Sequence, residues 1–275
     1  MVRPWFIGSL FSVSILCGLG QYAMSEEFRI ETEIFVTHES EPIAKNVTLF
    51  TDKKVYDFSL ASAEEIAIFE PGEKVFTLID LSREVQTRFT TRDLLTFLSE
   101  LKLQAAGTGT LAQFAADPRF EETFDRTDKI LGLAGSHMVY EARGIEAINS
   151  GSAQQYQRFA DWYARLNSTR PGALPPYARL QLNRSLADKE LIPVEVRLRF
   201  SLKPLEPRHE GETDEDIRAR ETNVRSRHRV NWGLLQIDRR RIDAANLMQK
   251  QYRLVSFDQY RGLDKLAARA TANAD

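Results

Sequence analysis

An α+β fold built on an antiparallel strand meander is predicted by three features of the sequence. Residues 28 to 89 carry hydrophobic side chains with a period of two, and the links between these segments are short. The period then changes to that of a helix, and it returns to strand near residues 192 to 202. In the first segment Phe28, Ile30, Thr32, Ile34 and Val36 alternate with Arg29, Glu31 and Glu33, the pattern of a strand with one buried and one wet face. Further strands are expected over 43–51, 55–60, 65–70, 74–81 and 84–90. They are separated by turn residues such as Glu39-Ser-Glu-Pro42, Asp52-Lys-Lys54 and Pro71-Gly72. Links this short join neighbouring strands antiparallel, so the first third reads as a meander of about six strands.

A helix should start at Thr90 or Thr91, either of which can act as an N-cap with Asp93 in the first turn. Leu94, Leu95, Leu98 and Leu101 form its apolar stripe, and Gly107 ends it. Residues 128–133 and 137–141 are expected to form a hairpin around Gly135-Ser136. Tyr156, Phe159, Trp162, Tyr163 and Leu166 share one side of the next helix, which Pro171-Gly172 breaks. Pro175-Pro176 opens another helix that runs to about Asp188. Val194, Val196, Leu198 and Phe200 alternate with Glu195, Arg197 and Arg199 as a strand, and residues 205–226 read as a charged loop. Residues 228–232 resume a strand, 235–250 form a helix, and 252–257 add a short strand.

The first 25 residues have the layout of an export signal. Arg3 is the one charge, a mostly apolar run follows to Leu19, and Ala23 and Ser25 supply small residues before a cut. Cleavage after Ser25 is expected, with Gly20 as the alternative. The apolar run is shorter than the roughly 20 residues a membrane span needs. Leu16 before Cys17 is unlike the small residue of a lipoprotein signal. The domain expectation is therefore a signal peptide over 1–25, one domain over 26–262 and a tail over 263–275. Cys17 is the one cysteine, so after cleavage neither disulfides nor thiol chemistry would remain. Loss of Arg3 would move the formal charge from −2 to −3. A balance so near neutrality gives no electrostatic case for a nucleic-acid partner, and no integral membrane span is expected after cleavage.

Motifs for common chemistries are absent: there is no G-x-S-x-G, Walker loop, G-x-G-x-x-G after a strand, or H-E-x-x-H. His38, His137, His209 and His228 lack metal-ligand spacing on a predicted helix; histidines from separate strands, for instance His137 and His228, could converge, but surface or satisfied histidines are the better reading and no metal site is expected. Glu31 and Glu33 read as a solvated outer face rather than a catalytic pair. Arg239-Arg-Arg241 is flanked by Asp238 and Asp243 and reads as a mixed-charge helix face. The sequons at Asn46, Asn167 and Asn183 are read as chance. No catalytic residue and no cofactor is expected.

The layout of export signal, strand meander, helix, hairpin, helices and returning strands resembles the lipoprotein carrier half-barrel superfamily, the LolA- and LppX-like proteins of bacterial envelopes. The runs Phe28-Arg-Ile-Glu-Thr-Glu-Ile-Phe-Val36, Val55-Tyr-Asp-Phe58, Phe159-Ala-Asp-Trp-Tyr163, Leu174-Pro-Pro176 and Leu191-Ile-Pro193 look more closely like a group of uncharacterised exported bacterial proteins. The resemblance implies a strongly curved antiparallel sheet, an incomplete β-barrel of about ten strands, with helices packed on its concave side. It implies a non-enzymatic envelope protein that binds a lipid or another apolar small molecule. The alternative is a structural or interaction module without a ligand. Lining residues expected for the cavity are Phe28, Ile30, Ile34, Val47, Leu49, Tyr56, Phe58, Ile68, Phe76 and Leu78, with Phe159 and Tyr163 from the helical cover. The long segment 150–190 departs from a minimal carrier and leaves both an open and a filled cavity as alternatives.

Overall fold

The computed structural model describes residues 27–37, 39–60, 65–206 and 213–262. The expected signal peptide, the tail over 263–275, His38 and His209 lie outside these residues.

Among the described residues twelve strands form one open sheet. The chain enters at the middle of the sheet with β1 (Phe28–Val36). It moves outward through β2 (Ala44–Phe50), β3 (Val55–Ser59), β4 (Glu65–Glu70), β5 (Val75–Asp80) and β6 (Val85–Thr90). Helices α1 (Thr91–Ala105) and α2 (Leu111–Ala116) then carry it to the far edge. There β7 (Glu121–Asp125), β8 (Ile130–Ala134) and β9 (Met138–Glu146) turn back inward. Helices α3 (Ser150–Asn167) and α4 (Tyr177–Ala187) lead to β10 (Leu191–Phe200). A short α5 (Asp214–Arg220) precedes β11 (Thr222–Trp232), which closes against β1 with Phe28 opposite Trp232 and Val36 opposite Val224. Helix α6 (Gln236–Gln251), the two-residue β12 (Arg253–Leu254) and α7 (Phe257–Arg261) end the described chain.

All ladders are antiparallel except that of β12 with β6, so the sheet is mixed and has twelve strands rather than about ten. It is an unclosed, curved α+β half-barrel. A register shift between Pro193 and Glu195 interrupts the ladder of β10 with β9. The shift also accommodates a proline in an interior strand. Thr90 is the cap of α1, in a reciprocal capping box with Asp93.

Helices cover both faces of the first half. On the concave face Phe28 stacks on Phe50 at 4.1 Å, and Phe159 of α3 meets Phe50 edge-on at 5.6 Å. Phe69, Phe76, Leu78 and Phe89 continue this core to Tyr260 of α7. On the opposite face Val47, Leu49, Tyr56, Phe58, Ile66, Ile68 and Ile79 pack beneath Ala245, Ile242 and Met248 of α6. A third cluster joins Leu131, Leu133 and Tyr140 to Leu182 and Leu186 of α4. Each such aromatic or aliphatic side chain contributes roughly 1.5–3 kcal/mol on burial.

The charged segment expected as a loop over 205–226 contains α5 and the first residues of β11. β11 begins at Thr222, and Arg225 and Arg227 lie over the Phe35 ring at 4.9 and 5.3 Å. The charges belong to the wet face of a strand and stack on an aromatic of β1.

Candidate functional site

Between the concave wall and the cover of α3, α4 and residues 168–176 lies a cavity of about 690 Å³. Strands β1 to β4 and β9 to β11 all contribute to its lining. That volume falls within the roughly 300–1,000 Å³ range of small-molecule sites.

Of the residues expected to line it, Ile30, Ile34, Phe159 and Tyr163 do so. Phe28, Phe76 and Leu78 share the concave face but are consumed in its packed core. Val47, Leu49, Tyr56, Phe58 and Ile68 sit on the other face of the sheet, under α6, away from the cavity. Register explains this placement. Ile30 lies opposite Thr48, and Thr48 lies opposite Asp57, so the concave parity of β2 and β3 falls on Asn46, Thr48, Phe50, Val55 and Asp57. Apolar parity does not identify the inner face when both faces are covered.

Sequence reasoning missed the polar side chains in this wall. Asp57 accepts hydrogen bonds from Asn46 Nδ2 at 2.6 Å, Thr48 Oγ1 at 2.6 Å and the Tyr163 hydroxyl at 2.8 Å. Burial pushes its carboxyl above the ordinary range, and these three donors partly offset that rise. Burial, with Asp57 beside it, pushes the Tyr163 hydroxyl well upward too. Tyr163→Phe leaves the carboxylate one donor short in a buried position. The expected loss is about 1–3 kcal/mol of stability, read from the urea midpoint. An unchanged midpoint would show that water already satisfies Asp57.

Glu65 at the rim is held by the Tyr260 hydroxyl at 3.0 Å, Arg170 at 3.4 Å and Arg261 at 3.5 Å. Farther along the wall His228 of β11 stands opposite Thr32 of β1. Its Nδ1 is 3.0 Å from Thr32 Oγ1 and its Nε2 is 2.9 Å from Ser226 Oγ. The residue is half-buried and lines the cavity. Burial, and next the Arg179 guanidinium, push its pKa down to about 3. At neutral pH the imidazole is uncharged and is a weak base toward the neighbouring Ser226 hydroxyl.

His137 is at the opposite end of the wall, with its Nδ1 3.0 Å from Ser136 Oγ and its ring near Phe114. Among the described residues no group of three or more His, Cys, Asp or Glu converges to hold a metal ion. Nor is any helix among them long and apolar enough to cross a membrane.

No family model matches the sequence. No curated protein matches it either. Among solved structures the chain is similar to a LolA superfamily protein from Nitrosomonas europaea, at 6% identity and a TM-score of 0.24. The match covers 78% of this chain and 88% of that one. A likeness this distant assigns neither fold nor role, and the reading of the site rests on the cavity itself.

Proposed function

We propose that this chain is an exported, non-enzymatic binding protein of the cell envelope that holds a lipid or another apolar small molecule in its concave cavity. The observation that carries the proposal is the unfilled space of about 690 Å³ between a curved sheet and its own helical cover. A curved wall and rigid helices leave such a gap unless side chains fill it, and here Phe50, Tyr156, Phe159 and Ile30 line the space without closing it. Export is supported by the charge, apolar run and small residues of the first 25 positions.

Native mass spectrometry of gently purified protein tests the binding. A recurrent added mass that extracts into organic solvent is expected. Resupplying the extracted lipid at about 100 times its dissociation constant should stabilise the fold by about 2.7 kcal/mol. A clean apo mass with no lipid-dependent rise in melting temperature would favour the ligand-free structural module. The mass of the protein recovered outside the cytoplasm should correspond to a chain starting at Glu26, or at Gln21 if the alternative cut is used.

A further inference from the structure

The charges around the cavity are unevenly compensated. Its two acidic side chains are both engaged, Asp57 by three donors and Glu65 by Arg170, Arg261 and Tyr260. Arg179, in the first turn of α4, also lines the cavity and is only half-buried. Its guanidinium is near enough to the Tyr156 hydroxyl to act on it, but among the described residues no carboxylate forms an ion pair with it. Asp161, whose carboxyl feels its field, is already bonded by Asn183 at 2.9 Å. His228 beside it is neutral and adds no second cation.

Geometry separates this cation from the acidic station. Tyr156 marks the Arg179 end and Tyr163 the Asp57 end, and both are on α3. Seven helical residues span about 10 Å. Between them the lining is Phe159 and Ala160 from the helix and Phe50 from the wall. The space therefore has at one end a planar cation with no ion-paired carboxylate among the described residues, and an apolar run leading away from it. A guanidinium in such surroundings is matched by a carboxylate or phosphate, which accepts paired, charge-assisted hydrogen bonds.

We infer that Arg179 is the head-group residue for a single-chain amphiphile with an anionic carboxylate or phosphate head, its alkyl chain lying along α3 against Phe159 and Phe50. This rests on the cavity being a ligand site.

The test uses the full chain, stripped of lipid, titrated with dodecanoate, dodecyl phosphate and dodecanol by displacement of a neutral fluorescent probe. One or both anions should bind at least about ten-fold more tightly than dodecanol, the equivalent of one charged hydrogen bond. Their order distinguishes a carboxylic acid from a phosphorylated lipid as the source. Arg179→Gln should remove the preference by weakening both anions far more than dodecanol, and Arg179→Lys should retain part of it. Equal binding of the alcohol and the anions, or a preference that survives Arg179→Gln, overturns the head-group assignment and leaves the apolar site standing. Failure of all three compounds to bind overturns both readings. Should Arg179→Gln not fold, the wild-type comparison of the three heads and the Lys variant still decide.

Discussion

Lowering the pH from 7 to about 4.5 should weaken the fold by roughly 1–3 kcal/mol through His228 alone. Its pKa in the folded protein is about 3, against 6.5 for an unperturbed imidazole. The unfolded chain binds the proton more readily, so the contribution is fully present above pH 6.5 and is lost as the pH falls toward 3. Two pH units of such linkage amount to at most about 3 kcal/mol, and water entering the cavity reduces the figure. His228→Gln keeps partners for the hydroxyls of Thr32 and Ser226 and cannot titrate. Urea midpoints measured at several pH values should show the wild type losing stability relative to this variant on acidification. Asp57 and Asp161, whose carboxyls are raised by burial, act with the opposite sign and are common to both proteins. Parallel profiles for the two proteins would mean that His228 is charged at little cost in the folded state.

The order of elements was largely legible, and the reason is local. β1 alternates cleanly, the links among β1 to β6 are short, and Thr90 with Asp93 announces α1. What escaped lacked its own apolar signature. β7 reads Glu-Glu-Thr-Phe-Asp because it is the sheet edge, where charge discourages further pairing. α2, α5 and α7 are too short to establish a period. The start of β11 carries Arg225 and Arg227 on its wet face, so it looked like loop.

The site was less legible than the fold, for a different reason. A strand with one wet face tells the reader which side is inside, but β2 to β5 are covered on both sides. Val47, Leu49, Tyr56, Phe58 and Ile68 are as buried as any cavity residue, yet they serve α6. Asp57, Thr48 and Asn46 look like solvent-facing residues in the sequence and instead face the cavity as a bonded group. Arg179 carried no motif at all. Its significance arises from the absence of a nearby ion-pair partner among the described residues, which is a property of the three-dimensional arrangement.

The second large effect concerns the helix that covers the outer face. Asp238, in the first turn of α6, is fully buried at 0% exposure, and Arg29 of β1 retains 6%. Arg29 Nη1 is 3.4 Å from Asp238 Oδ2, and the same carboxylate accepts from the Leu235 backbone N–H at 2.9 Å and lies 3.5 Å from Arg241. One carboxylate thus caps α6 and neutralises a buried arginine at the centre of the sheet. Asp238→Ala should destabilise the protein by about 3–5 kcal/mol, because the guanidinium would be left buried with Glu31 as its remaining partner. Arg29→Met combined with Asp238→Ala should recover part of that loss, since the orphaned charge is then gone and only the cap is missing. Denaturant midpoints of the single and double variants measure both effects. If Asp238→Ala costs less than about 1 kcal/mol, water reaches the pair and the α6 contact is held by Ala245, Ile242 and Met248 alone. The tethering of α6 matters for the cavity on the other side. The same β2 and β3 strands carry Leu49 and Tyr56 against α6 and Thr48 and Asp57 toward the ligand space, so loosening one face frees the wall of the other.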